Sequence, residues 1–334
     1  MIFFLTNTLI MISLVILLIS ISNKFKLYDI PNKRKIHKNK VPVVGGLAIF
    51  FCILISSFIF KYDEAFILSL YISSIIIIIG LIDDIFYLKF YLKLFFQSIA
   101  IIFVINSGVY IKNFYLFNFF NNDLLTFIIL ILFSYLCLLT LLNSINFIDG
   151  IDGLSSGLIF LIIIFIFINS FLHNINIDYN NFLIILIPLT IFLFFNLSLF
   201  GLKKIFLGDA GSCFLGFFVG CLLIIYSQEP YNYIKQSFIP WLLCIPIYDF
   251  LSVSILRILN KKSPFYPDNN HIHHLLLSRS HNQKYVLIII LTIQILFNIY
   301  GIIITNYISL TYSIMNFAVF FVFYFIFILK LKKT

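Results

Sequence analysis

The chain has 334 residues, of which 62% are hydrophobic and 10% charged, with a formal net charge of +9. A water-soluble domain carries about 25% charged residues, so this composition excludes one and points to a polytopic membrane protein. At about 20 residues per span, the length accommodates ten or eleven transmembrane helices in one all-α membrane domain over 1–334, and little else. No basic soluble module exists to bind nucleic acid.

Hydropathy places spans near 2–22, 43–60, 66–82, 91–108, 125–142, 154–172, 182–200, 211–227, 237–259, 285–304 and 308–329. The first stretch has neither a basic leader nor a small-residue cleavage site, and reads as a retained helix. Eleven spans put the termini on opposite sides. Assigned to the nearest loop, 19 of the 22 Lys and Arg residues fall on one side; only Lys61, Lys112 and Lys235 fall on the other. The positive-inside rule makes the first side cytoplasmic and the N-terminus external. The same positive charge can attract anionic lipid heads and phosphorylated substrates.

The polar motifs all fall on that first side. The initial loop runs from Asp29 through Pro31, Asn32, Arg34, Lys35 and His37 to Pro42 and Gly45-Gly46. Its glycines imply a tight return into the membrane beside another element. Asp83-Asp84 closes the third span. Adjacent carboxylates repel unless a cation or proton lies between them, so the pair reads either as a solvated helix cap or as a base or metal contact. Lys93, early in the fourth span, either snorkels to the interface or offers its ammonium to a phosphate.

The stretch Asn143–Gly153 is richer. Asn143 and Asn146, and likewise Asp149 and Asp152, are three apart and share a helix face. Gly150 and Gly153 allow close backbone approach. Amide and carboxylate oxygens without sulfur or imidazole suit a hard cation such as magnesium. Gly208-Asp209-Ala210-Gly211-Ser212 opens the eighth span. Asp209 either caps that helix or marks a phosphate site bridged by magnesium. A long loop before the tenth span carries Ser263-Pro264-Phe265 and His271-Ile272-His273-His274, without zinc-site spacing. The five cysteines form no CxxC pair and read as small buried apolar residues.

Taken together, these motifs resemble the polyprenyl-phosphate N-acetylhexosamine-1-phosphate transferase family (glycosyltransferase family 4), in the same order from 29 to 274. The His-x-His-His loop resembles the WecA/TagO-like branch, which moves N-acetylglucosamine phosphate to undecaprenyl phosphate. The Pro-x-His-His-His loop of the MurNAc-pentapeptide branch is absent. One departure is Tyr87, which stands where the family commonly has a third Asp after the Asp83-Asp84 pair.

The resemblance implies magnesium, or manganese in its place, on Asp209 with Asn146 as second ligand. It puts Lys93 on the nucleotide pyrophosphate and Asp149 and Asp152 in the nucleotide and metal pocket. His271, His273 and His274 would grip sugar or phosphates, and Asn143, Gly45 and Gly46 would help bind substrate. Asp83 or Asp84 would deprotonate or orient the lipid phosphate. Undecaprenyl phosphate and a UDP-amino sugar are the implied partners, in a multi-pass plasma-membrane protein, and a homodimer, that starts a cell-surface glycan such as O-antigen. The motifs do not separate N-acetylglucosamine from N-acetylfucosamine or N-acetylquinovosamine as the donor sugar. A secondary transporter would also carry membrane carboxylates, but it would favour midplane charges and repeat symmetry. Here the motif acids stand at helix ends on one side.

Overall fold

The computed structural model describes residues 1–30, 40–114, 123–264 and 268–333. The expected contributions of Pro31, Asn32, Arg34, Lys35 and His37 lie outside these residues. Among those described are thirteen α-helices and a single two-stranded ribbon. An apolar chain in lipid must satisfy every backbone group internally, which selects helix over open sheet.

Each expected span coincides with helix: α1 (Ile2–Ile21), α2 (Gly45–Ile59), α3 (Glu64–Phe86), α4 (Phe90–Asn106), α5 (Asp123–Ile148), α6 (Leu154–Leu172), α7 (Asn180–Asn196) and α8 (Gly208–Tyr226). The ninth is broken into α9 (Ile239–Leu242) and α10 (Cys244–Leu259). A short helix in the loop, α11 (Ile272–Ser280), precedes α12 (Gln283–Tyr307) and α13 (Leu310–Lys333). Seven of these helices are long and apolar enough to cross a membrane unaided. α2, α4 and α7 have 15 to 17 residues, about 22–26 Å at 1.5 Å per residue.

The break between α9 and α10 follows from Pro246, which has no N–H to donate. Gln294 of α12 fills the gap. Its Oε1 accepts from Ile245 N at 2.9 Å, and its Nε2 donates to the carbonyls of Trp241 and Leu242 at 3.0 and 3.1 Å.

Helix α8 is the axis of the bundle and packs mainly against α3 and α5, then α2. Glycine makes this approach possible. A Cβ on Gly46 would lie 2.2 Å from Gly211 Cα, and one on Gly80 would lie 2.3 Å from Ala210 Cα. The ribbon pairs Tyr28–Asp29 with Val41–Pro42. Beyond it, Val43 bridges Phe206. The N–H groups of Gly45 and Gly46 donate to the carbonyls of Phe206 and Leu207 at 2.8 and 3.0 Å. These bonds fasten the start of α2 to the start of α8.

Candidate active site

The C-terminal ends of α3 and α5 meet the N-terminal ends of α4, α6 and α8 at one end of the bundle. There they frame a cleft of about 370 Å³. Six carboxylates line it: Asp29, Asp83, Asp84, Asp149, Asp152 and Asp209. Lys204 is the one cationic side chain among the described lining residues, and His274 faces it from α11.

Behind the acidic wall lies Lys93, only 6% exposed. Its Nζ donates to Asp83 Oδ2 and Asp209 Oδ2, both at 2.8 Å, and to Asn146 Oδ1 at 3.2 Å. Asn146 turns its Nδ2 to Asp209 Oδ1 and Ser212 Oγ, each at 2.9 Å. A buried ammonium paired to two carboxylates with further hydrogen bonds meets the conditions under which buried charge is tolerated. Lys93 thus points its ammonium at Asp83, Asn146 and Asp209 behind the cleft.

The two adjacent aspartates do different work. Asp83 is pinned by Lys93 on one oxygen and by Leu88 N at 2.7 Å on the other. Asp84 points across to α8, where it accepts the N–H groups of Asp209 at 2.8 Å and Ala210 at 3.2 Å. It is an N-cap supplied by another helix. Gly208 makes room for it: its φ is +78°, and a Cβ there would lie 2.7 Å from Asp84 Oδ2. α3 ends at Tyr87, in left-handed conformation with φ 53°. Tyr87 is 79% exposed at the cleft rim, where the family pattern would put a third carboxylate.

Asp149 and Asp152 flank the turn after α5. Gly153, at φ +77°, starts α6 and donates its N–H to Asn196 Oδ1 at 2.7 Å. Asp149 accepts from Ser155 Oγ, and burial raises its carboxyl to about 7. Asp152 pairs with Lys204, whose ammonium also lies 5.1 Å from the Phe206 ring centroid.

Other expected site residues stand behind the cleft. Gly45 and Gly46 are buried, with their N–H groups already bonded to α8's leading residues. Asn143 is buried a turn below Asn146 and donates to Gln97 Oε1 at 3.2 Å. His271 is buried, with its Nδ1 2.7 Å from Asp249 Oδ2 and its Nε2 3.3 Å from Arg257 Nη2. His273 is fully buried and neither ring nitrogen finds a hydrogen-bond partner. Burial pulls its imidazole down to about 3, and burial also holds His274 below the usual range.

Lys204, Gln97, Asp249 and Arg257 are polar participants that the motif reading missed. Lys204 and Arg257 carried a signal only as orientation charges. Asp249 is a carboxylate inside the ninth span, and that alone could have marked it.

An all-oxygen donor set with one half-open carboxylate fits a hard divalent cation. Magnesium is commonly held by one or two protein carboxylates, with substrate phosphates completing its shell. The Asp209 side chain is 41% exposed to the cleft, which makes it the natural anchor.

Residues 66–227 match the family model for glycosyl transferase family 4. That segment contains Asp83, Asp84, Lys93, Asn146, Asp149, Asp152 and Asp209. The chain is 31% identical over 268 residues to an undecaprenyl-phosphate alpha-N-acetylglucosaminyl 1-phosphate transferase of Pasteurella multocida, covering 77% of this chain and 73% of that protein. The protein of the same description from Escherichia coli K12 is 32% identical over 100 residues, 30% of this chain and 27% of that one. The one from Yersinia pestis is 31% identical over 113 residues, covering 34% and 31% respectively. The match over most of both chains, with five of the six cleft carboxylates inside residues 66–227, places the protein in glycosyl transferase family 4.

Proposed function

We propose that the protein transfers N-acetylglucosamine-1-phosphate from its UDP-sugar to undecaprenyl phosphate, releasing UMP and starting a lipid-linked cell-surface glycan. The observation that carries this reading is the acidic cleft built around Lys93 at the converging helix ends. Six carboxylates against two ammonium groups repel a nucleotide diphosphate, and this repulsion supports a magnesium-dependent reaction. The names of the relatives support the lipid acceptor and the sugar carried.

The reaction is a displacement at the β-phosphorus. An oxygen of the lipid phosphate forms the new P–O bond. The bond from the β-phosphorus to the bridging oxygen breaks, and UMP leaves with that electron pair. Such transfer is governed by positioning and charge neutralisation. Magnesium, on Asp209 with Asn146 beside it, would neutralise charge building on the phosphates. Lys93 holds Asp209 and Asp83 in register. Asp84 fixes the first turn of α8. Both oxygens of Asp83 are engaged, so it orients its neighbours rather than taking a proton. A phosphate monoester, with a second pKa of about 6, needs no base at neutral pH.

The 19 to 3 division of cationic residues supports an external N-terminus and a cleft open to the cytoplasm, at the plasma membrane. The soluble nucleotide and the lipid phosphate can meet there. The test is UMP release from purified protein given undecaprenyl phosphate, magnesium and a panel of UDP-sugars, N-acetylfucosamine and N-acetylquinovosamine included. Metal-dependent release that disappears with chelator and in Asp209→Ala is expected, and the panel names the donor. Absence of release with every donor, in folded protein, would overturn the reading.

A further inference from the structure

A second helix start near the cleft is also held by a carboxylate from a membrane helix. Asp249 of α10, 1% exposed, accepts the N–H of Ile272 at 2.8 Å on Oδ1, where α11 begins. The Tyr324 hydroxyl of α13 reaches the same oxygen at 3.3 Å. The other oxygen, Oδ2, faces His271 Nδ1 at 2.7 Å. Two turns further along α10, Arg257 grips Asp268 through Nε at 3.1 Å and Nη2 at 3.0 Å. Its Nη1 donates to the Pro264 carbonyl. Burial alone would push Asp268 up, yet the bonds from Arg257 and Asn270 hold it below its ordinary value.

The protonation pattern follows from valence. A guanidinium has five donors and no acceptor. At 3.3 Å from Arg257 Nη2, His271 Nε2 must therefore be the acceptor and carry no proton. The ring proton resides on Nδ1 and is donated to Asp249. The negative charge left on Asp249 meets the positive end of α11. Both ring nitrogens of His271 are then committed inside the protein, and its side chain has no polar atom left for substrate.

We infer that Asp249 and Arg257 are positioning residues that lock His271 as its Nδ1–H tautomer, anchor the start of α11, and so present His274 to the cleft. His271 is the keystone of the loop and not a substrate ligand. Asp249→Asn is the informative change because it keeps the shape and inverts the chemistry. If the new amide oxygen still serves Ile272 N, its NH2 group faces His271 Nδ1. The imidazole must then move its proton to Nε2, directly against Arg257.

The test is 15N NMR of the full chain with labelled histidines in lipid nanodiscs. The chain has six histidines, and the His271 signals are those lost in His271→Asn. The wild type is expected to show a protonated Nδ1 and a bare Nε2 at neutral pH. Asp249→Asn is expected to abolish that pattern and raise KM for the sugar nucleotide about tenfold, with a smaller change in kcat. An imidazolium or an Nε2–H tautomer in the wild type overturns the inference, as does Asp249→Asn with an unchanged KM. If that variant does not fold, the wild-type spectrum still decides. The kinetic readout rests on the transfer reaction proposed above. A wild type that releases no UMP would sink that reaction and leave the tautomer result standing.

Discussion

Asp84 of α3 accepts the backbone N–H of Asp209 at 2.8 Å, across 125 residues of sequence. Asp84 thereby fixes the first turn of the helix that carries Asp209 into the cleft. Loss of an N-cap costs about 0.5–2 kcal/mol. Asp84→Asn can satisfy only one of the two N–H groups and sets an amide donor against the other. It is expected to lower kcat about tenfold or more and to depress the thermal midpoint. Wild-type kcat and melting in Asp84→Asn would remove the capping role.

Lys93 stands between Asp83 and Asp209, and its removal leaves two carboxylates facing each other. Breaking a buried pair by deleting one partner costs about 3–5 kcal/mol. Lys93→Met is therefore expected to fold poorly and to lose activity. Adding Asp83→Asn to Lys93→Met should recover much of the stability, because one of the two stranded charges is gone, but none of the turnover. A double-mutant cycle on thermal melting checks this. Additive effects of the two substitutions would show that the pair does not interact.

Much of the fold was legible because hydropathy and the helix requirement of a bilayer act on every residue alike. Each expected span coincides with a helix, and the stretches at Asp83-Asp84, Asn143–Gly153, Gly208–Ser212 and His271–His274 converge at one end. The break after Leu242 was marked only by prolines, since the closing residue, Gln294, lies on another span. Asp249 and Arg257 were hidden for a related reason. An averaged apolar window absorbs one charge, and their partners sit 22 and 11 residues away in a loop. Which motif residues face substrate was also not legible. Gly45, Gly46 and His271 have the right chemistry for a ligand, but they use it on Phe206, Leu207, Asp249 and Arg257.

The pH dependence of stability has a definite sign at Asp149. Burial raises its folded-state carboxyl to about 7, while the unfolded chain ionises near 4. The folded state thus keeps a proton that the unfolded state releases. The stability associated with this group is fully present below pH about 4 and is lost as pH rises through about 7. Melting in chelator should show the wild type falling relative to Asp149→Asn over that window. A constant difference, or a wild type that gains on Asp149→Asn as pH rises, would contradict the raised carboxyl.

The close crossing of α2 and α8 gives the last prediction. A Cβ on Gly46 would sit 2.2 Å from Gly211 Cα and 2.4 Å from Gly211 N. Both obstacles are backbone, so no rotamer change relieves them and the two helices must separate. The bonds from Gly45 N and Gly46 N to Phe206 and Leu207 would stretch with them, just ahead of Asp209. Overpacking of this kind costs about 1–3 kcal/mol, and here the displacement falls on the cleft itself. Gly46→Ala is expected to lose most of its activity while remaining folded at low temperature. Gly220→Ala lies lower on α8, and its new methyl would meet only side chains of Leu138 and Leu141 at 3.1–3.2 Å. Those side chains can shift, so Gly220→Ala should stay close to wild type in UMP release. Equal losses in the two variants would mean that α8 tolerates no added methyl anywhere, and that the crossing at Gly46 has no special link to the cleft.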